Sequence, residues 1–150
     1  MALPERIQAD LTAAMKARDR ATTGTLRLVL AAIRNLRVTE GRSGEVTDAE
    51  TLELLTREAK RRTEAAQAYD RAGRDDLAEA ERGELAILRR YLPQQLGDDE
   101  LAGIVDAAVA ETGASSPADL GRVMSAVMPK VRGRADGKAV NALVRERLGA

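Results

Sequence analysis

The chain contains no cysteine, no histidine, no tryptophan and no phenylalanine, and only two tyrosines in 150 residues. These absences exclude a disulfide framework, a zinc finger, a Cys or Ser nucleophile activated by imidazole, and the usual haem ligation. Side-chain chemistry is left to carboxylate, ammonium, guanidinium and hydroxyl groups. Aromatics at 1% also argue against modules that stack unpaired bases on rows of rings, since Tyr69 and Tyr91 alone are available. The sequence lacks any apolar run of the ~20 residues needed to cross a bilayer. Glu5 and Asp10 interrupt Met1–Arg18, where a secretory signal keeps an uncharged core. The expectation is a cytoplasmic protein without a membrane segment.

What is present fits a folded chain. Hydrophobic residues make up 44% and charged residues 32%, and a protein of this length buries roughly 68–70% of its unfolded surface without staples. Ala, Leu, Arg and Glu dominate, and Val and Ile never alternate with polar residues long enough to indicate a sheet, so the reading is all-α. A first helix carries Leu3, Ile7, Leu11 and Met15 on one stripe, with Pro4 suited to its first turn. A second follows the N-cap candidate Asp19 and runs through Leu26, Val29, Leu30, Ile33 and Leu36 until Gly41 and Gly44 interrupt it. Thr47-Asp48-Ala49-Glu50 reads as a capping box that opens a third helix, which Gly73 stops. A fourth uses Leu77, Leu85, Leu88 and Leu92 and ends at Pro93. Short loops predict antiparallel neighbours among these four.

Pro93-Gln94-Gln95-Leu96-Gly97 is the candidate hinge, which divides the chain into an N-terminal helical domain, 1–95, and a small three-helix C-terminal domain, 96–150. Asp98-Asp99-Glu100 load the start of a fifth helix with negative charge, as the macrodipole favours. Ser116 before Pro117 reads as the cap of a sixth helix, which Pro129 should end or kink. A final helix carries Val140, Leu143, Val144 and Leu148. The formal charge is zero, yet residues 119–150 hold seven bases and three acids, leaving residues 1–118 with a net charge of −4. Overall neutrality conceals this asymmetry.

Four features can carry chemistry. Lys130, Arg132, Arg134 and Lys138 alternate with small residues around Gly133 and Gly137, two glycines that let the backbone adopt conformations or close approaches a Cβ would forbid, while Asp136 is placed to cap the last helix. Cations beside the N–H groups of a helix start can hold phosphate oxygens. Solvated bases in an ordinary helix connection account for the same residues. Arg57–Glu64 resembles a second basic stripe, but Glu58 with Arg62 and Lys60 with Glu64 neutralise it at i,i+4, so it reads as a solvated face. Recurrent acid pairs such as Asp75 with Asp76 sit in first turns, and no histidine accompanies them to complete a dimetal motif. Ser115-Ser116 with Lys130 lacks the Gly/Ser-rich framework of an amidase site. No catalytic residue, metal or cofactor is assigned.

Two tail segments, Thr112-Gly113-Ala114-Ser115-Ser116-Pro117-Ala118-Asp119-Leu120-Gly121-Arg122-Val123-Met124 and Met128-Pro129-Lys130-Val131-Arg132-Gly133-Arg134-Ala135-Asp136-Gly137-Lys138 followed by Val140-Asn141, resemble the signature of the YqeY family. Upstream, Thr25-Leu26-Arg27, Ala31-Ala32-Ile33-Arg34-Asn35, Ala72-Gly73-Arg74 and Tyr91-Leu92-Pro93-Gln94-Gln95-Leu96 resemble its N-terminal half. The tail is also similar to the tail domain of the GatB subunit of tRNA-dependent amidotransferase, which amidates Glu or Asp already charged on tRNA.

The resemblance implies an all-helical two-domain fold and a family associated with carbon–nitrogen ligation using glutamine as amide donor. It also implies tRNA or another structured RNA as a partner, together with a translation-related protein or the amidotransferase. It assigns RNA phosphates to Lys130, Arg132, Arg134 and Lys138, with Arg122 of the same signature. Asn141 either contacts RNA or fixes the preceding loop, unless capping and packing explain it. Ser125 stands where the family often has a base, and several expected lysines are arginines, which keep the charge and add a bidentate fork. The ATP-dependent catalytic core and the glutaminase of the larger enzyme have no counterpart. The leading expectation is therefore an RNA-binding accessory protein. The alternative is a helical protein–protein adaptor without RNA binding, to be recognised by exposed apolar residues on the first two helices.

Overall fold

The computed structural model of the chain describes residues 1–39, 41 and 44–149. Among these residues the elements are seven α-helices and one 3₁₀ turn, with no strand. They are α1 (Leu3–Lys16), α2 (Arg20–Thr39), α3 (Asp48–Arg71), α4 (Asp75–Arg89), α5 (Asp98–Thr112), the 3₁₀ turn Pro117–Asp119, α6 (Leu120–Val131) and α7 (Gly137–Arg147). The protein is all-α, as its residue preferences predict. No helix among the described residues is long and apolar enough to cross a membrane. The contacts divide the chain into two compact units, Met1–Leu92 and Pro93–Ala150.

In the first unit, short connections join α1 to α2 and α3 to α4. Asp19 caps α2: its carboxylate accepts the Thr22 N–H at 3.1 Å and the Thr22 hydroxyl at 2.6 Å. The capping box of α3 is complete, with the Glu50 N–H on the Thr47 hydroxyl at 3.2 Å and the Thr47 N–H on the Glu50 carboxylate at 2.7 Å. The Leu3 N–H donates to Asp48 at 2.8 Å, so the starts of α1 and α3 are tied. Ile7, Leu11, Leu26, Val29, Ile33 and Leu55 lie in one buried cluster with Leu88 and Tyr91. Removing this apolar surface from water stabilises the unit.

Two expectations about this unit, for Met15 and Arg62, are corrected, and Tyr91 drops out of the pair of rings open to bases. Met15 is half exposed and does not continue the α1 core stripe. Tyr91 is buried and donates its hydroxyl to Asp10 at 2.6 Å, with the Arg6 guanidinium 5.1 Å from its ring centroid. Burial, followed by the bond to Asp10, pushes its phenol well above the usual range, so its ring is committed to the fold. Arg62 is not on a solvated face: only 8% of it is exposed, and it reaches Glu58 at 2.7 Å and Glu84 of α4 at 3.0 Å. The i,i+4 partner was legible, but the second carboxylate comes from another helix.

The second unit packs α5, α6 and α7 around Leu101, Val105, Ala108, Val123, Val127 and Val144, joined by Val131, Val140 and Leu148. Gly113 takes the left-handed conformation (φ 66°) that ends α5. Pro129 does not end α6, which continues to Val131. Proline removes the N–H that would bond to the Ser125 carbonyl. The next turn still closes, with the Arg132 N–H on the Met128 carbonyl at 3.0 Å, and Val131 is fully buried. Ser116 occupies the N-cap of the 3₁₀ turn, and the Asp119 carboxylate reaches back to the N–H groups of Ser115 at 2.9 Å and Ser116 at 3.3 Å. Pro93–Gly97, expected as a hinge, is fastened to the α6–α7 connection. The Gln95 side-chain amide donates to the Gly133 carbonyl at 2.9 Å, and the Leu96 N–H donates to the Arg134 carbonyl at 2.9 Å.

The Ser115 N–H is the main cause holding the Asp119 carboxyl below its ordinary value of 3.8, with help from the Ser116 N–H and the Arg122 guanidinium. As pH falls, the unfolded chain therefore takes up this proton first. The stabilising contribution is complete above the unfolded value and is lost as pH falls through the lower folded one. In urea unfolding, the stability gap between wild type and Asp119→Asn should be present at neutral pH and close on acidification below 3.8. A gap that does not respond to pH contradicts the assignment.

Candidate nucleic-acid interface

The α6–α7 connection is built from the inside outward. Val131 and Val140 are fully buried on either side of it and fix where one helix ends and the next begins. Between them the chain turns at Gly133, which is buried and has φ 76°, a conformation that costs an L side chain about 1–2 kcal/mol. The Arg134 and Ala135 N–H groups both donate to the Val131 carbonyl, at 2.8 and 3.1 Å. Asp136 then caps α7, accepting the Ala139 N–H at 3.3 Å. Gly137 is already the first residue of α7, and a Cβ there would meet nothing within 4 Å. The expectation that both glycines are needed is therefore corrected: the turn requires Gly133 alone.

The six candidate residues divide by position. Arg132 lies at the C-cap of α6 and Lys138 in the first turn of α7, and both are exposed. Arg134, between them, is half-buried, and its Nε donates to the Gln94 carbonyl at 3.3 Å. These three residues share one short turn. Lys130, in the last turn of α6, has its ammonium 3.7 Å from the Glu111 carboxylate and not on Ser115 or Ser116. Arg122 is in the first turn of α6, about 15 Å along the helix from Arg132, and pairs with Asp119 at 2.8 Å. Asn141, on α7, accepts the Nε–H of Arg145 of the same helix at 2.7 Å.

In the ion pairs of Arg122 and Lys130 both cations and Glu111 are exposed while Asp119 is half-buried, and pairs at the surface contribute about 0–1 kcal/mol. Phosphate oxygens can displace these carboxylates at small cost. The helix start is a weaker anion site than its sequence suggests, because Asp136 brings a carboxylate to it and takes the Ala139 N–H. Contact with an anion falls to the side chains. Gln94 and Gln95, which brace the turn, were visible in the sequence only as part of the Pro93-Gln94-Gln95 motif. Glu111 and Asp106, the latter paired with Arg147 at 2.7 Å, had no sequence signal, because α5 meets α6 and α7 only on folding. Among the described residues, no group of three or more carboxylates is arranged to hold a metal ion.

The two glycines give opposite expectations. Gly133→Ala should lower the unfolding free energy by about 1–2 kcal/mol through its left-handed backbone. Gly137→Ala should leave it unchanged or raise it by up to ~1 kcal/mol. Urea melts of the two variants check this, and equal losses contradict it.

The model of the family described as Yqey-like protein, YqeY, matches residues 4–148. A protein of Pyrenophora tritici-repentis named "Altered inheritance of mitochondria protein 41, mitochondrial" is 31% identical over 150 aligned residues, spanning 97% of this chain and 80% of that one. A Clavispora lusitaniae protein of the same name is 32% identical over 91 residues, which are 61% of this chain and 52% of its own. An uncharacterised protein of Schizosaccharomyces pombe is 31% identical over 88 residues, 59% of this chain and 70% of its own. The match runs through both helical units and across the Gly133 turn, and the chain belongs to the YqeY family.

Proposed function

We propose that the Pro93–Ala150 unit binds RNA, with tRNA the favoured class, by placing Arg132, Arg134 and Lys138 against the phosphate backbone. The observation that carries this reading is the braced turn at Gly133, which sets three cations within seven residues on a backbone fixed at both ends. Arginine suits phosphate because its planar fork donates in parallel to two oxygens. Lys130 and Arg122 extend the contact along α6 by exchanging a carboxylate partner for a phosphate. The resemblance of this tail to that of the tRNA-dependent amidotransferase supports tRNA over other polyanions.

In this reading the protein is an accessory to amidation of charged tRNA. Glutamine-dependent ligation is the family's association, but the chain has neither thiol nor imidazole with which to release ammonia in the usual way. A translation-related protein or the amidotransferase is the accompanying partner. The cytoplasm is the compartment proposed for this chain, whereas the names of two relatives place those proteins in mitochondria.

The test uses two double variants, because Arg134 also contacts the Gln94 carbonyl. Both Arg132→Glu/Arg134→Glu and Arg132→Glu/Lys138→Glu should lower tRNA retention at low salt by at least about tenfold, with circular dichroism at the assay temperature checking that each variant is folded. Unchanged retention in a folded variant overturns the proposal.

A further inference from the structure

The twenty residues of α2 contain four arginines and no acid. One face of the helix, with Leu26, Val29, Leu30 and Ile33, is buried in the first unit. The opposite face carries a second pattern. Ala21, Gly24, Leu28, Ala31, Asn35 and Val38 alternate at intervals of three and four, the spacing of a heptad seam, and Arg20, Arg27 and Arg34 follow beside it every seventh residue.

Among the described residues this seam is left largely uncovered. Leu28 is 57% exposed and Val38 79% exposed, Ala21, Gly24 and Asn35 are exposed, and Ala31 is half-buried. Gly24 lies inside a helix, where glycine costs about 1 kcal/mol relative to alanine, yet a Cβ there would meet nothing within 4 Å. Packing inside this chain therefore does not call for it, whereas close approach of another backbone would. Next to the seam runs a groove of about 450 Å³, walled by Leu28, Ala32 and Asn35 of α2 and by Arg61 and Ala65 of α3. Three carboxylates also line it, Glu58, Glu81 and Glu84, of which Glu58 and Glu84 are already engaged by Arg62, so the positive charge offered to a partner is that of the arginine row on α2.

We infer that this face of α2 is the docking surface for an acidic amphipathic helix of another protein, with apolar side chains over Leu28, Ala31 and Val38 and carboxylates opposite Arg20, Arg27 and Arg34. Charge selects this occupant. A second copy of α2 brings no acid in either orientation, and antiparallel pairing sets one arginine row against the other. A nucleic acid would satisfy the arginines and leave Leu28 and Val38 bare. An acidic helix meets both requirements. The inference is independent of the α6–α7 reading, since it uses no residue of the second unit.

The test uses the full chain and a synthetic helix of three heptads with Leu and Ala at seam positions and Glu at the flanking ones. Its controls are a scrambled peptide of identical composition and a version with Lys in place of Glu. The Glu helix should bind, the two controls should bind at least about tenfold more weakly, and both Leu28→Asp and Arg20→Glu/Arg27→Glu/Arg34→Glu should lose about tenfold or more in affinity. All substituted positions are exposed, so circular dichroism should show wild-type helicity. Equal binding of the scrambled peptide, or no binding of the Glu helix, overturns the inference. So does loss of tRNA retention in the triple variant with peptide binding intact, which would make the arginine row a nucleic-acid contact.

Discussion

The second unit depends on one turn of backbone. At Gly133 the chain leaves α6 in a left-handed conformation, and the two N–H groups that follow it converge on the Val131 carbonyl. Carbonyls exposed by such a turn need donors if they are to leave water, and Gln95 and Leu96 supply them to Gly133 and Arg134. Burial of Val131 and Val140 on either side sets the ends of both helices. Arg132, Arg134 and Lys138 are therefore carried on a backbone held by packing and hydrogen bonds, which in the proposed reading would reduce the entropy lost on binding an anion.

Local placement matters here more than total charge. Residues 93–150 contain seven bases and eight acids, so the unit as a whole is not basic. Several carboxylates sit beside the cations, as Glu111 does with Lys130, Asp119 with Arg122 and Asp106 with Arg147. These pairs are solvated and weak. They hold the long side chains near the surface without closing them to phosphate. In the first unit Arg62 shows the contrasting case, a guanidinium buried between two helices and engaged by two carboxylates, where it serves packing.

Features set by neighbours along the chain were legible before folding. The Asp19 cap, the Thr47 box, the Gly73 stop and the Asp136 cap all depend on residues within four positions of one another, and all are present. Features set by tertiary partners were not. Arg62 looked solvated because its second carboxylate lies on α4, and Tyr91 looked available because its partner Asp10 lies on α1. Of the two outcomes expected at Pro129, an end or a kink, the end does not occur: α6 continues to the buried Val131. For the candidate site, sequence located the cations and the cap. It missed the braces from Gln94 and Gln95 and the acids of α5, and it gave Gly137 a conformational importance that belongs to Gly133.

The central claim is that a braced cluster of cations, in a unit without net positive charge, engages an RNA phosphate backbone. The most direct measurement is the salt dependence of tRNA affinity for the intact chain. Three to five neutralised phosphates predict that log K falls against log [salt] with a slope of about −2 to −4.5. A slope near zero, or no measurable affinity at low salt, would contradict it.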